Sequence, residues 1–329
     1  IAGRKYGIAV CNGSVALDTA VAALGIEKDD EVIMPAFTII SCPSAVIRAG
    51  AIPVLIDSDP VTWNMDVEQI EAKITSKTKA IMVIHIYGLP VDMDPLLSIA
   101  SKYNLKIIED SAEMHGQTYR GRPCGSFGDI STFSFYPNKL VTTGEGGMIV
   151  TDDFYLSEKC TSLRNLCFKP EKRFVHEELG WNFRMTNLQA ALGLAQIERL
   201  DEFIVRKRKM GKKYTDLLSH IKGLQLPLSS TDYAENIYWV YGIILEEDIP
   251  FDAEHIMNKL LGKGVGTRPF FWPINEQPVF NKMGFFKNET YPVAEKLARR
   301  GFYIPCGLAL TEEQMEEVVF HLGEIIEKL

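Results

Sequence analysis

The chain has 329 residues, of which 35 are basic and 43 acidic, and its formal net charge is −8. This acidic balance argues against a general nucleic-acid or membrane-surface binder, and no apolar run approaches the ~20 residues that span a bilayer. A hydrophobic content of 46% and a charged content of 24% are ordinary for a globular protein, and the length is sufficient for a large domain and a smaller one.

Strand and helix patterns alternate in the N-terminal part of the chain. Strand-like apolar runs cover 6–11, 31–35, 52–57, 80–85, 105–109 and 130–135, and helical patterns cover 15–25, 41–49, 67–74 and 92–103. Such repeated units with short connections predict an α/β fold. Its doubly wound, mostly parallel sheet would bind ligands at the carboxyl edge.

The C-terminal part predicts a second domain of α+β type. Before it, a helix is predicted at 153–165, a polar loop at 167–187 and a long bridging helix at 187–221. The second domain itself has a predicted strand at 239–245 and helices at 253–263, 293–300 and 312–328. We place the domain boundary near residue 205, which gives a large domain at 1–204 and a small domain at 205–329.

The six cysteines show no CxxC pair and no metal-type spacing with histidine. We therefore expect free thiols in a reducing cytoplasm and no metal site. The cysteines are Cys11, Cys42, Cys124, Cys160, Cys167 and Cys306.

Five polar or ionisable residues follow directly after predicted strands. They are Asn12, Thr38, Tyr87, Asp110 and Lys139. Because the carboxyl ends of parallel strands meet at one edge of a sheet, we expect these residues to lie close together.

Lys139 stands on a turn between a predicted strand and the glycine-rich TTGEGG at 142–147. A lysine on a turn is ordinarily a solvated surface residue. Burial lowers the pKa of a lysine and makes its amine nucleophilic, and such an amine forms a Schiff base with pyridoxal phosphate (PLP). Asp110, at the end of a buried strand, would face the pyridine nitrogen of that cofactor and keep it protonated.

A turn at Asn12-Gly13-Ser14 connects the first strand to the first helix. This arrangement points backbone N–H groups at a phosphate. A plain helix cap by Asn12 or Ser14 explains the same residues, so both interpretations stay open.

Four segments together carry a resemblance to a known family. EDSA at 109–112, SFGD at 126–129, SFYPNK at 134–139 and TTGEGG at 142–147 resemble the nucleotide-sugar aminotransferases named for DegT, DnrJ, EryC1 and StrS. The resemblance runs along the whole chain and within the family is greatest to the GDP-perosamine synthases. The first residues show no signal-peptide pattern. Relatives carry a leading segment before this point, and we therefore expect a first helix to be missing from this sequence.

The resemblance implies a PLP-dependent, aspartate-aminotransferase-like fold (fold type I) and a homodimer with shared active sites. It implies that Lys139 and Asp110 are catalytic, with pyridoxamine phosphate as the intermediate form of the cofactor. It further implies that the cofactor is bound by Gly13, Ser14, Asp110, Glu113, Ser134, Lys139 and, from the partner subunit, Asn182, and the substrate by Thr38, Tyr87 and Arg268.

The segment GTRPFFWP at 266–273 places Arg268 beside three aromatic residues. A guanidinium there suits a phosphate, whereas a surface strand with packed aromatic residues explains the segment equally well. A similar segment in perosamine synthases favours the phosphate.

One departure from the family pattern concerns the cofactor ring. Relatives carry an aromatic residue after the threonine that corresponds to Thr38, but here the next residue is Ile39. Phe37 could replace that aromatic ring only if its loop were rotated.

Glu113 stands where many relatives have glutamine, and whether its carboxyl group is charged is left open. His85 and His115 are interpreted as structural.

We expect amino transfer from L-glutamate to C4 of a nucleotide-linked 4-keto-6-deoxysugar, foremost GDP-4-keto-6-deoxy-D-mannose, in lipopolysaccharide O-antigen biosynthesis. The same chemistry on a UDP- or dTDP-linked sugar is the near alternative. A 3-dehydratase is disfavoured because such relatives have histidine in place of Lys139. A scaffold without cofactor is disfavoured by Lys139 and Asp110 together.

Overall fold

The computed structural model describes residues 1–327. The strands are β1 (Tyr6–Val10), β2 (Glu31–Pro35), β3 (Ile52–Ile56), β4 (Thr78–Ile84), β5 (Lys106–Asp110), β6 (Thr118–Tyr119), β7 (Arg122–Pro123), β8 (Ile130–Ser134), β9 (Gly147–Thr151), β10 (Leu224–Gln225), β11 (Tyr241–Leu245), β12 (Arg268–Pro269) and β13 (Gly301–Ile304). The helices are α1 (Gly13–Ala23), α2 (Ser41–Arg48), α3 (Ile70–Lys73), α4 (Met93–Tyr103), α5 (Phe154–Arg164), α6 (Asn187–Ile197), α7 (Leu200–Leu218), α8 (Ala253–Leu261), α9 (Pro278–Lys282), α10 (Pro292–Arg300) and α11 (Glu312–Glu327).

A seven-stranded sheet forms the larger part of the molecule, in the order β1-β9-β8-β5-β4-β2-β3. Strand β9 is antiparallel to both of its neighbours, and all the other strands run in one direction. The carboxyl ends of β1, β2, β4, β5 and β8 therefore lie at the same edge. The predicted α/β class with a large, mostly parallel sheet is confirmed.

Alternating side chains of the central strands fill two cores on the opposite faces of this sheet. On β2, Met34 packs with residues of α1 and α2, whereas Ile33 packs with residues of α3 and α4. This period-two alternation of apolar residues is what a strand covered on both faces requires, and it makes the sheet doubly wound.

A second sheet, in the order β10-β11-β13-β12, is antiparallel throughout. Its apolar side chains form a separate core with residues of α7, α8 and α11. Helix α7 crosses residue 205, where we place the boundary. Ile204 packs with Phe133 of the large sheet, whereas Met210 packs with Tyr238 of the second core. The division at 204 and 205 remains our proposal.

The long helix predicted at 187–221 is two helices, α6 and α7, separated at Arg199, whose φ of −109° and ψ of 11° are not helical. Leu200 and Phe203 of α7 pack against the large sheet, whereas Leu188 and Leu192 of α6 are 82% and 58% exposed. The prediction of one continuous helix was therefore wrong.

The last helix is described as far as Glu327, so its predicted end at residue 328 lies outside the described residues. None of the helices within residues 1–327 combines the length and apolarity that a bilayer crossing requires.

Candidate active site

A cavity of about 770 Å³ lies at the carboxyl edge of the large sheet. Among the residues that line it are eight predicted to bind ligand or act in catalysis, namely Asn12, Gly13, Ser14, Thr38, Asp110, Glu113, Ser134 and Lys139. They converge because β1, β2, β5 and β8 all end at this edge. Convergence of polar residues at the carboxyl ends of parallel strands marks the ligand site of such folds.

The amine of Lys139 is held between a carboxyl group and an aromatic ring. Its Nζ lies 3.5 Å from Oε1 of Glu113 and 3.7 Å from the centroid of the Trp239 ring. The indole Nε1 of Trp239 donates to the carbonyl of Asn138 at 2.9 Å, next to the lysine in the chain. Trp239 comes from the segment before β11, so the second domain completes the wall around Lys139.

The carboxylate of Asp110 is 4% exposed at the end of β5. Its Oδ1 accepts the backbone N–H of Ala112 at 3.0 Å, and its Oδ2 accepts the thiol of Cys42 at 3.4 Å. Burial raises the pKa of Asp110, against the lowering effects of the Ala112 N–H and of the charge on Lys139.

Glu113 faces Lys139 from the loop after β5. Its Oε2 accepts the backbone N–H of Tyr87 at 2.7 Å. Burial raises the pKa of Glu113 to about 7, against the lowering effect of the charge on Lys139. Glu113 is therefore able to exchange a proton near neutral pH, where its neutral and charged forms are both present.

The turn before α1 serves both as a helix cap and as a wall of the cavity. Oδ1 of Asn12 accepts the N–H of Val15 at 3.0 Å, and Oγ of Ser14 lies 2.7 Å from Oγ of Ser41. A Cβ on Gly13 would lie 2.7 Å from Cβ of Ser134. Only glycine allows the helix N-terminus to come this close to β8, and the N-terminus of α1 is thereby placed at the cavity.

Tyr87 and Arg268, which were predicted to bind substrate, do not line the cavity. The side chain of Tyr87 packs against Phe37, Phe270 and Phe271, and its hydroxyl accepts the Phe271 N–H at 3.3 Å. Its backbone, with φ of +58°, contacts Glu113 instead. Arg268 is exposed on the edge strand β12 and donates to the carbonyl of Thr267 at 2.9 Å.

Asn182 is exposed and does not line the cavity of its own subunit. Its Oδ1 accepts from Nη2 of Arg184 at 2.8 Å. Among residues 1–327 no hydrogen bond from the amide N–H groups of Asn182 is seen, so they can donate to a group outside the subunit.

The aromatic residue missing after Thr38 is not replaced by Phe37, which is fully buried against Tyr87 and Phe270. Ile39 lines the cavity and is 41% exposed. The aromatic residues that line the cavity are Phe133, Tyr136, Trp239 and Phe271.

In both of the histidines considered, Nδ1 accepts a backbone N–H. Nδ1 of His85 accepts the N–H of Val91 at 3.1 Å, and its Nε2 lies 3.2 Å from Glu109. Nδ1 of His115 accepts the N–H of Val141 at 3.4 Å, and burial lowers the pKa of His115 to about 3. Within the described part of the chain, no group of three or more His, Cys, Asp or Glu side chains could hold a metal ion.

Sequence reasoning missed Cys42, Thr132 and Trp239. Thr132 pairs with Asp110 in the register of β8 and β5. Its Oγ1 is buried at the cavity without a hydrogen-bond partner among residues 1–327. The signal for Thr132 was its place two residues before Ser134 on the same strand, but no sequence pattern pointed to Cys42 or Trp239.

These residues fit pyridoxal phosphate. The cavity offers an amine at Lys139, a buried carboxylate at Asp110, a helix N-terminus with Ser14 for a phosphate, and the unpartnered hydroxyl of Thr132. An amine, a carboxylate and an anion site are the three features that this cofactor requires of a protein.

Comparison with known proteins also identifies the chain as a PLP-dependent aminotransferase. The model of the DegT/DnrJ/EryC1/StrS aminotransferase family matches residues 1–322. A GDP-perosamine synthase from Escherichia coli O157:H7 is 42% identical over 320 residues, which are 97% of this chain and 85% of that protein. Another from Caulobacter vibrioides is 39% identical over 324 residues, which are 98% of this chain and 86% of that protein.

A solved aminotransferase from Psychrobacter cryohalolentis has a TM-score of 0.93 at 32% identity, with 99% of this chain and 88% of that chain covered. This likeness shows the same aminotransferase fold along nearly the whole chain. The chain belongs to the DegT/DnrJ/EryC1/StrS aminotransferase family and is a PLP-dependent nucleotide-sugar aminotransferase.

Proposed function

We propose that the protein transfers the amino group of L-glutamate to C4 of GDP-4-keto-6-deoxy-D-mannose, which is the reaction of a GDP-perosamine synthase. The observation that carries the proposal is the similarity to two GDP-perosamine synthases along nearly the whole chain. The convergence of Lys139, Asp110 and Glu113 in one cavity supports it.

Lys139 is the residue that moves protons in this proposal. Bound pyridoxal phosphate would supply an aldehyde that accepts an amino group and a ring that stabilises negative charge on the adjacent carbon. The neutral Nζ of Lys139 can take a proton from the α-carbon of glutamate, and the protonated Nζ can deliver a proton to C4 of the sugar. The protonated Nζ is stabilised by the face of Trp239 at 3.7 Å and by Glu113 at 3.5 Å.

Three further residues would bind and orient the cofactor. Asp110 places a buried negative charge at the cavity, and such a charge favours a protonated ring nitrogen in front of it. Ser14 and Ser134 present hydroxyl groups beside the N-terminus of α1, where an anion is favoured.

The active unit in this proposal is a homodimer in which Asn182 serves the partner's site. Apolar side chains left exposed around Asn182 support the association. Leu179 is 93% exposed, and Leu188, Leu192 and Leu194 of α6 are 82%, 58% and 60% exposed. Exposed apolar groups of this extent on one segment mark an interaction surface.

We place the enzyme in the cytoplasm, with a role in O-antigen biosynthesis. The six cysteines are free, as expected for a reducing compartment.

For the nucleotide, we propose that Arg268 contacts the pyrophosphate and that Thr38 and Tyr87 contribute to the substrate site. The exposed guanidinium of Arg268 keeps most of its donors available, since within residues 1–327 only Nη1 donates to a protein group. Thr38 lines the cavity. Tyr87 would act through its backbone contact to Glu113.

The test is a screen of GDP-, UDP- and dTDP-linked 4-keto-6-deoxysugars with ¹⁵N-labelled L-glutamate, with the product followed by mass spectrometry. The GDP-linked sugar should give the highest kcat/KM and should gain one labelled nitrogen. A higher kcat/KM for a UDP- or dTDP-linked sugar would move the assignment to that nucleotide. Loss of one oxygen without gain of nitrogen would identify a 3-dehydratase, for which glutamate supplies the two electrons.

A further inference from the structure

Cys42 lies directly against the carboxylate of Asp110. It is the second residue of α2, and it is 0% exposed. Its thiol donates to Oδ2 of Asp110 at 3.4 Å, and its sulfur accepts the hydroxyl of Thr38 at 3.5 Å. The other oxygen of Asp110 accepts the Ala112 N–H at 3.0 Å. Both oxygens of the carboxylate are therefore held from fixed positions.

We propose that Cys42 is a positioning residue for the cofactor, because the hydrogen-bonded chain from Thr38 through Cys42 fixes the orientation of Asp110 and favours its charged form. The inference rests on the proposed role of Asp110 at the ring nitrogen. It does not depend on which sugar nucleotide is the substrate.

The thiol acts as a neutral donor in this chain. Burial and the neighbouring charge of Asp110 raise the pKa of Cys42 well above its ordinary value, so the S–H proton stays in place. By accepting the hydroxyl of Thr38, the sulfur becomes a stronger donor to Asp110. A donor to the charged form of a carboxylate lowers its pKa, and the Cys42 thiol has this effect on Asp110.

Other groups around Asp110 also titrate or carry charge. Lys139 lowers the pKa of Asp110 through its charge, His85 would do so only when protonated, and Glu113 is coupled to it with the opposite sign. All three remain unchanged when Cys42 is substituted. A comparison of variants therefore isolates the contribution of the thiol.

The experiment follows release of pyridoxal phosphate from the loaded protein between pH 8 and pH 4, by visible absorbance and by cofactor in the filtrate. Cys42→Ala should raise the pH midpoint of release by about 0.5 unit and weaken cofactor affinity about threefold, as expected for the loss of one weak hydrogen bond. Cys42→Ser keeps a donor and should restore the wild-type midpoint.

Cys160→Ala is the matched control, because Cys160 is also 0% exposed and lies on α5 in the apolar core. It should leave the midpoint unchanged. An unchanged midpoint in Cys42→Ala would overturn the proposal, and so would equal shifts in Cys42→Ala, Cys42→Ser and Cys160→Ala. If Cys42→Ala does not fold, Thr38→Val decides, since loss of its hydroxyl should shift the midpoint in the same direction.

The Asp110→Asn variant tests the role of Asp110 independently of the positioning role of Cys42. If Asp110→Asn binds the cofactor as tightly as wild type, the role of Asp110 is wrong. If Asp110→Asn loses the cofactor while Cys42→Ala releases it at the wild-type pH, only the positioning role of Cys42 is wrong.

Discussion

Glu113→Gln should remove a pH dependence of stability that the active site imposes on the protein without cofactor. The folded protein holds the pKa of Glu113 at about 7, whereas its ordinary value is 4.5. A group whose pKa is raised by folding stabilises the protein below its unfolded pKa, and this contribution is lost as the pH rises through the folded pKa. The relevant window is therefore about pH 4.5 to 7.

The size of the effect follows from the difference of about 2.5 pH units between the two values. At about 1.4 kcal/mol per unit, the free energy of unfolding should fall by at most about 3 kcal/mol across this window. Glutamine has nearly the same shape and carries no charge. The Glu113→Gln protein should therefore match wild type near pH 5 and exceed it in stability near pH 8.

The assay is denaturant unfolding of both proteins without cofactor at several pH values between 5 and 8. Glu145→Gln is the matched control, because Glu145 lines the same cavity but is exposed. The stability difference between wild type and Glu113→Gln should vary with pH more than the difference between wild type and this control. A constant difference between wild type and Glu113→Gln across the range would refute the reasoning, since it would show that Glu113 does not change its charge there.

Three further variants test the proposed site. Lys139→Ala should retain some cofactor through the phosphate contacts but lose turnover, measured as product formation, and turnover at the wild-type rate would contradict its role. Mixing Lys139→Ala with Asn182→Ala chains should restore one site per heterodimer, and a fully active Asn182→Ala protein would disprove shared sites. Arg268→Ala should lower kcat/KM for the sugar nucleotide about 10- to 100-fold, the loss of roughly 1.5–3 kcal/mol, while pyridoxamine phosphate formation from glutamate stays near wild type. Equal loss in both half-reactions would show that Arg268 does not bind the nucleotide.

The position of the site could be predicted because it depends on strand direction. Asp110 and Ser134 end buried parallel strands, and Gly13 and Lys139 follow strands of the same direction. Side chains at the carboxyl ends of such strands meet regardless of the details of the loops. The apolar runs and the turn residues were sufficient for this inference.

Side-chain direction within a turn could not be predicted in the same way. Tyr87 follows β4 as expected, but a positive φ of 58° turns its side chain into the aromatic cluster with Phe37 and Phe270. Few residues other than glycine adopt this conformation, so it could not be expected from the sequence. Only the backbone of Tyr87 reaches the site, through Glu113.

Contacts between distant segments also could not be predicted from the sequence. Trp239 reaches Lys139 from the second domain, and Cys42 reaches Asp110 from a helix that packs against a different strand. Neither residue belongs to a pattern with a functional meaning of its own. The separation of α6 from α7 likewise could not be predicted, because no proline or glycine interrupts the helical pattern at Arg199.

Borohydride reduction of the cofactor-loaded protein, followed by peptide mapping, tests most directly whether Lys139 is the lysine that binds pyridoxal phosphate. The amine of Lys139 lies in the cavity with Asp110 and Glu113. Lys207 is the matched alternative, since it is buried but donates to the carbonyls of Trp239 and Cys306. The reduced pyridoxyl group should be found on the peptide that contains Lys139 and should be absent from the Lys139→Ala protein. Its presence on Lys207 or on any other lysine would contradict the account.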